Sequence, residues 1–212
     1  MPDDHSLVDL PISDFLDRLA SGSPTPGGGS AGALAGALAA SLSSMVCNLT
    51  LGKDEFADVA PEIGRLLDES EAARAALEFG VEADAVAFGQ VAAAYKLPRA
   101  SEAERNRRRS AIRRGSISAA RAPLEVARMC ARTLDIHSRL AEIANPRVLT
   151  DVAVGAYVAR AALRSAAANV EVNLPAFEGD PFWQEAKAEL AHLLEGRDAQ
   201  LEVILARIGR RT

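Results

Sequence analysis

One aspartate stands inside an apolar stripe that has helical spacing. Members of the stripe lie seven, four, three and four residues apart: Leu77, Asp84, Phe88, Val91 and Tyr95. Residues at this spacing share one face of a helix, so Asp84 is expected to face a core or a cleft. A carboxylate in such a place must be paired, hydrogen-bonded or protonated. Asp84 is therefore either one half of a structural salt bridge or a general acid or base.

A second stripe, later in the chain, carries another aspartate and two asparagines. Its members are Asp151, Val154, Val158, Ala162, Asn169 and Asn173. Asp151 and Asn169 are five helical turns apart, which separates them by about 27 Å along the axis. They are expected to face the same way without touching the same small group. They could serve two ends of a long ligand or two separate sites, and each asparagine could instead cap or bridge helices.

The segment Pro24–Ser30 combines two prolines with three consecutive glycines and leads into a helix predicted from about Ser30 to Leu51. Backbone N–H groups at a helix N-terminus carry partial positive charge, so Gly27–Ser30 could hold a carboxylate or a phosphate. The segment is not a Walker loop, which needs a Gly-Lys-Ser/Thr ending, and no strand precedes it as in a dinucleotide-binding fold. Gly32 and Gly36 share one helix face and predict close packing against a neighbouring helix.

The elements that must position these residues are all helices. Alanine makes up roughly a fifth of the chain and is the best helix former, and no stretch shows the period of a strand. Helices are predicted over 13–20, 30–51, 61–96, 101–144, 146–173 and 180–208. Ser13 is a candidate N-cap, and Ser101 with Glu104 forms a capping box. The prediction is an all-α, up-and-down, alanine-rich bundle of about six helices that forms one domain over residues 1–212.

Composition argues against several functional classes. The net charge of −5 is opposite to that of most nucleic-acid-binding proteins. The acidic start, Met1–His5, lacks the features of a signal peptide, so we expect a cytoplasmic protein. The uncharged stretch Ser30–Leu51 is long enough to cross a membrane, but it consists mostly of Ala, Gly and Ser, so we expect a core helix. Cys47 and Cys130 are expected to be buried, reduced thiols.

Metal-ligand spacing is absent from the sequence, because His5, His137 and His192 stand apart from one another and from cysteine or carboxylate clusters. The sequence therefore predicts no metal site. One basic block stands out, between Arg105 and Arg114, and it is either a solvated helix face or a docking patch for an anionic tail. No aromatic residue lies within the block for stacking on nucleic-acid bases.

Several of these segments together resemble the formiminotransferase-cyclodeaminase C-terminal domain family, which includes stand-alone methenyltetrahydrofolate cyclohydrolases. The first is Pro24–Ser30, and the others follow in order through nearly the whole chain: 33–38, Met45-Val46, Asn48-Leu49-Thr50, Gly52-Lys53, Asp84, 94–98, Asn145, Thr150-Asp151-Val152, Asn169-Val170 and Asn173-Leu174. The chain departs from the family after Lys53, where Asp54 and Glu55 stand in place of basic residues. That departure argues against a role for this loop in holding polyanionic folate tails.

The resemblance implies a tetrahydrofolate substrate and one of two reactions at the same carbon. Cyclodeamination closes 5-formimino-tetrahydrofolate to 5,10-methenyl-tetrahydrofolate with loss of ammonia. Cyclohydrolysis opens the methenyl compound to 10-formyl-tetrahydrofolate. Both pass through a tetrahedral adduct and need one proton removed and one delivered, which side chains can do without a metal or redox cofactor. The sequence does not separate the two reactions or reveal a preferred glutamate-chain length.

The resemblance also implies site residues and partners. We predict Asp84 or Asp151 as the base, and Lys53 or Tyr95 as the acid or orienting donor. The predicted substrate-binding residues are Pro26, Gly27, Gly28, Gly29, Ser30, Asn48, Asn169 and Asn173. A homodimer is expected, with a separate formiminotransferase or folate dehydrogenase as a further partner. The alternative is a non-catalytic helical module that kept the fold for dimeric binding or assembly.

Overall fold

Four long helices pack side by side in the computed structural model, which describes residues 6–211. They are α2 (Gly28–Asn48), α3 (Ala60–Tyr95), α4 (Glu102–Ile143) and α5 (Leu149–Asn173), and α1 (Ile12–Ala20) precedes them. Each long helix packs on its neighbour in sequence, and α5 closes the ring against α2. Short loops join them, so the chain runs up and down the bundle. Met1–His5, on which the signal-peptide expectation rests, lies outside the described residues.

Two further helices, α6 (Pro181–Leu194) and α7 (Arg197–Ile208), follow the bundle, and α7 packs on α4 and α5. Short 3-10 turns link the elements at Leu7–Asp9, Asp54–Val59, Pro146–Val148 and Leu174–Phe177. Over residues 6–211 the structure contains no strand. The predicted all-α, up-and-down bundle is therefore confirmed.

Helix ends follow the expected local chemistry, with two exceptions. The predicted capping box is present, because Ser101 Oγ accepts from the Glu104 N–H and Glu104 Oε2 accepts from the Ser101 N–H. The Ser13 prediction is wrong, since Pro11 occupies the N-cap of α1 and the Ser13 hydroxyl donates to Asp14. The prediction of one continuous final helix over 180–208 is also wrong, because Gly196 adopts a φ of +69° and separates α6 from α7.

α2 is the most closely packed helix, as its glycines predict. A Cβ on Gly36 would lie 2.8 Å from both Cys130 Sγ and Leu77 Cδ2, and a Cβ on Gly32 would lie 3.2 Å from Ser165 Cβ. Close approach of the helix axes therefore requires glycine at position 36, and at position 32 a Cβ would fit only if Ser165 shifted slightly. Within residues 6–211, α2 is the one helix that is long and apolar enough to cross a membrane, but most of it is buried inside the bundle, as in a core helix.

Both cysteines are unpaired and buried in the core that surrounds α2. Burial raises the pKa of each thiol, Cys47 and Cys130, to about 12. Both thiols therefore stay protonated near neutral pH and lack the nucleophilic thiolate form. The prediction of buried, reduced cysteines is confirmed.

His137 is the one fully buried histidine among the described residues, and it joins three helices. Its Nε2 lies 3.2 Å from the Ala39 carbonyl oxygen and 3.0 Å from Ser43 Oγ, both in α2. A Cβ on Gly155 of α5 would come within 2.1 Å of its ring. Because a carbonyl oxygen only accepts, Nε2 carries the hydrogen. Burial lowers the pKa of the imidazole from 6.5 to about 4.

His137 should make the stability of the fold depend on pH. The unfolded imidazole takes up a proton below its pKa of 6.5, whereas the folded one stays neutral until about pH 4. The free energy of unfolding should therefore fall by about 3 kcal/mol as pH drops through this window. Urea denaturation at intervals from pH 7 to pH 4 measures this, and His137→Gln should remove that part of the slope. His192→Gln, on the exposed surface of α6, is the control, and an unchanged slope in His137→Gln would contradict the account.

Candidate active site

A ledge forms at one end of the bundle, because α3 and α4 are longer than α2 and α5. Asp84 contacts the first turn of α2, yet α3 continues for 11 more residues, which is about 16 Å. A cleft of about 340 Å³ lies between the start of α2 and the end of α5. The parts of α3 and α4 that extend beyond those two helices form one side of it, which we call the wall. We call the cleft itself the Asp84 cleft. It is lined by Pro24, Thr25, Gly27, Gly28, Gly29, Asp84, Ala87, Phe88, Val91, Ala119, Asn169, Val172 and Asn173.

The Asp84 carboxylate lies on the N-terminus of α2. Its Oδ2 accepts the Ser30 backbone N–H at 2.9 Å and lies 3.1 Å from Ser30 Oγ, which is 3.0 Å from the Val81 carbonyl oxygen. The helix N-terminus that was predicted to bind an anion thus holds a carboxylate of the chain itself. Asp84 Oδ1 has no hydrogen-bond partner within residues 6–211, so it can accept a proton from a ligand in the cleft.

Gly29 is required by this arrangement. A Cβ at that position would lie 1.9 Å from Asp84 Oδ1 and 2.3 Å from the carboxyl carbon. Any larger residue would therefore push the carboxylate away from α2. Gly27 and Gly28 also line the cleft, whereas Pro26 and Ser30 are buried. Pro26 and Ser30 thus lie behind the lining of the cleft, and their contact with a substrate stays a prediction.

Asn169 and Asn173 form the end of the cleft that belongs to α5. The Asn169 amide donates to the Ser165 carbonyl at 2.8 Å, and the Asn173 amide donates to the Asn169 carbonyl at 2.9 Å. Asn173 Nδ2 also lies 3.4 Å from the carbonyl oxygen of Ala119 in α4. Pro123 lies one turn later in α4 and has no N–H to donate to that carbonyl. Asn173 therefore both lines the cleft and bridges α5 to a carbonyl that α4 leaves unpaired.

The remaining predicted residues lie away from the cleft within one chain. Asn48, Lys53 and Asp151 belong to the opposite end of the bundle, where α2 ends and α5 begins. From Asp151 to Asn169 the distance along α5 is about 27 Å. Tyr95 is on the wall but about 16 Å beyond Asp84, and its ring packs beneath Arg108 at 5.4 Å. No predicted pairing of a base with Lys53 or Tyr95 therefore forms within a single chain.

Apolar side chains of the cleft went unpredicted as site residues. Phe88 and Val172 are 45% and 74% exposed, and both line the Asp84 cleft. Phe88 belongs to the predicted stripe, which was expected to face a core or a cleft, but it was not named as a site residue. The length of α3 could have indicated this exposure. Its stripe runs beyond the end of α2, so the last residues of the stripe must lie outside the core.

Comparison with known proteins identifies the family. The family model described as Formiminotransferase-cyclodeaminase matches residues 11–192. The methenyltetrahydrofolate cyclohydrolase of Methylorubrum extorquens is 40% identical over 183 residues, which are 86% of this chain and 88% of that protein. The formimidoyltransferase-cyclodeaminase of Rattus norvegicus is 32% identical over 208 residues, and this chain spans 38% of its length.

A solved structure has the same fold. The crystal structure of formiminotetrahydrofolate cyclodeaminase from Thermotoga maritima matches with a TM-score of 0.80 and 29% sequence identity. The match covers 97% of this chain and 96% of the Thermotoga chain. Sequence and fold agree over nearly the full length, as the resemblance predicted. This chain belongs to the formiminotransferase-cyclodeaminase family.

Proposed function

We propose that this protein is a one-carbon folate enzyme that acts in the Asp84 cleft. The observation that carries the proposal is the carboxylate of Asp84, held by Ser30 with one oxygen free in a cleft of about 340 Å³. That volume lies in the usual range for small-molecule sites. Exposed Phe88 and Val172 offer apolar surface for a flat ring system, and the Asn169 and Asn173 amides offer polar contacts.

Asp84 is the proposed general base. In cyclohydrolysis it removes a proton from the water that adds to the cationic methenyl carbon, and that proton is returned to N5 as the C–N5 bond breaks. The hydroxyl of the adduct loses its own proton to solvent as the formyl C=O forms. In cyclodeamination it removes the proton of N10 as N10 adds to the formimino carbon. The formimino nitrogen takes up that proton and one more from solvent, and it leaves as ammonia while the methenyl cation forms. Each reaction is an addition followed by an elimination, so proton transfers suffice and we propose no metal or redox cofactor.

Cyclohydrolysis is the first candidate reaction, and cyclodeamination is the second. The Methylorubrum relative is named a cyclohydrolase, and the match covers 88% of its length. Cyclodeamination is supported by the name of the Thermotoga protein, which has the same fold. In either case a separate formiminotransferase or folate dehydrogenase would supply the substrate or use the product. The two buried thiols suit a cytoplasmic protein, which we also propose.

Near-ultraviolet absorbance tests the reaction, because the methenyl form absorbs distinctively. Purified protein should accelerate the decay of added 5,10-methenyl-tetrahydrofolate over buffer if it is a cyclohydrolase. Growth of the methenyl band from 5-formimino-tetrahydrofolate would instead establish a cyclodeaminase. No change with either compound would favour the non-catalytic binding module.

Asp84→Asn should keep the fold and lower kcat by about 10²–10⁴-fold, which is the usual contribution of a general base. Steady-state kinetics with the active folate measures the loss, and circular dichroism confirms folding. Asp68→Asn, an exposed position on the same helix, is the matched control and should leave kcat unchanged. Full activity in Asp84→Asn would rule out Asp84 as the base.

We also propose a homodimer formed through the outer face of α2. This helix has no charged residue. Leu38 and Met45 on its outer face are 57% and 36% exposed, and Leu49 at its C-cap is 43% exposed. Apolar patches of this kind typically mark protein interfaces. A two-fold axis across α2 would make the two copies antiparallel. The end of one α2 would then lie beside the start of the other, which brings Lys53 of the partner subunit toward the Asp84 cleft.

Leu38→Glu should convert the dimer to a monomer, because the interface would bury an unpaired charge. Light scattering after size exclusion, at micromolar concentration, measures the mass. Val203→Glu places the same charge at an exposed apolar position on α7 and should remain dimeric. A wild-type protein that is monomeric, or a Leu38→Glu protein that stays dimeric, would contradict this interface.

A further inference from the structure

The side-chain amide of Asn173, the last residue of α5, is held at two points in the Asp84 cleft. Such an amide has two N–H hydrogens and one oxygen. Asn173 Nδ2 lies 2.9 Å from the Asn169 carbonyl oxygen and 3.4 Å from the Ala119 carbonyl oxygen, so each carbonyl takes one hydrogen. A carbonyl oxygen only accepts, and this decides which end of the amide faces the backbone. Both donor hydrogens of the Asn173 side chain are therefore used inside the protein.

The oxygen of the same amide stays available. Asn173 Oδ1 has no hydrogen-bond partner within residues 6–211. Because the residue is half-buried and lines the cleft, Oδ1 is the polar atom of this side chain that a ligand there can contact. A free asparagine can turn to present either a donor or an acceptor, whereas Asn173 presents an acceptor alone.

Pro123 is the reason that this orientation is fixed. In a regular helix the Ala119 carbonyl would accept the backbone N–H of residue 123, but proline has no N–H. The carbonyl that α4 leaves unpaired takes the second hydrogen of Asn173 instead. Pro123 itself is buried and is not among the described residues that line the cleft, so it acts through Asn173.

Asp84 and Asn173 lie on opposite sides of the cleft. Asp84 joins α3 to the start of α2, and Asn173 joins the end of α5 to α4. In the ring formed by the four long helices, the α2–α3 junction is opposite the α4–α5 junction. Both side chains line one cleft of about 340 Å³, so a single flat ring system can reach both.

The pterin ring of a reduced folate has nitrogen atoms on two opposite sides. N5 carries the one-carbon unit, and N8 lies across the same ring. In tetrahydrofolates and in 7,8-dihydrofolate N8 bears a hydrogen and donates, whereas in fully oxidised folate N8 has a lone pair and only accepts. A ring with its N5 side at Asp84 therefore turns N8 toward Asn173.

We propose that Asn173 Oδ1 accepts the N8–H of a reduced pterin, so that Asn173 selects reduced folates and Pro123 is its positioning residue. The inference rests on the proposed function, because it requires the one-carbon unit to lie at Asp84. An oxidised folate would place the N8 lone pair against Oδ1. Since both N–H groups of Asn173 are held, its amide cannot turn to offer a donor, and a buried hydrogen bond would stay unmade.

Inhibition by two folates without a one-carbon unit tests this selection. 7,8-Dihydrofolate and folic acid share the ring skeleton and the glutamate tail, but N8 donates only in dihydrofolate. In the wild-type protein the inhibition constant of dihydrofolate should be about five- to 150-fold lower than that of folic acid, the range for one unmade buried hydrogen bond. Asn173→Leu, which has a similar shape and no acceptor, should bring the two constants together. Asn106→Leu, at an exposed position on α4, should keep the wild-type ratio.

Pro123→Ala separates the orientation of Asn173 from its presence. The alanine N–H can pair with the Ala119 carbonyl and release the Asn173 amide, so the ratio of the two inhibition constants should fall although Asn173 is retained. Pro61→Ala, in the first turn of α3 where a missing N–H breaks no helical bond, is the matched control and should not change the ratio. This pair of variants keeps the proposal testable if Asn173→Leu does not fold.

Equal inhibition constants in a wild-type protein that turns over a folate would overturn the selection and leave the proposed function intact. An unchanged ratio in Asn173→Leu would also overturn it, because another residue would then discriminate between the two rings. If no folate is turned over, calorimetry with the same two compounds decides. Tighter binding of dihydrofolate that depends on Asn173 would support the site, and equal or absent binding would overturn it.

Discussion

The contact between the Asp84 carboxylate and the first turn of α2 is the interaction on which the site depends. It joins α3 to α2 at the level where the core ends, and it places a charged group at the floor of a cleft. Three features of the sequence are needed for it: a glycine at position 29 to make room, a serine at position 30 to donate, and a free helix N-terminus to favour the anion. The main structural role of the three-glycine segment is therefore to bind the carboxylate of Asp84 from the same chain.

Unequal helix length turns that contact into a functional site. Inside the bundle, alanine and glycine allow α2 to approach its neighbours closely, as at Gly36, and the core fills without large side chains. Beyond the ends of α2 and α5 the same faces of α3 and α4 have nothing to pack against. Phe88 and Tyr95 are exposed there for that reason. The extension thus provides an apolar wall, and its far end carries the basic block between Arg105 and Arg114.

Helical periodicity was sufficient to predict much of this arrangement. It put Asp84 on an inward face of α3 and Asn169 and Asn173 on one face of α5, and all three line the cleft. The up-and-down order of the helices then brings the start of α2 and the end of α5 to the same end of the bundle. The capping box of α4 and the packing of Gly32 and Gly36 were predictable for the same reason, since each depends on local spacing.

Contacts between residues distant in sequence could not be predicted in this way. Ser30 and Asp84 are 54 residues apart, and nothing local indicates that the glycine segment would bind an aspartate of the same chain. The bridge from Asn173 to Ala119 depends on Pro123, which belongs to a different helix. Lys53 and Asp151 were grouped with Asp84 by resemblance, and only the fold reveals that the length of α2 and α5 separates them within one chain.

A matched pair of glycine variants tests the central claim most directly. Gly29→Ala retains every predicted catalytic side chain but should displace the Asp84 carboxylate, whereas Gly64→Ala adds the same methyl group to α3 where nothing lies within 4 Å. Circular dichroism first confirms that both proteins are folded. Turnover of the active folate should then be lost in Gly29→Ala and retained in Gly64→Ala. Wild-type turnover in Gly29→Ala would contradict the account, because the position of Asp84 on α2 would then be irrelevant to catalysis.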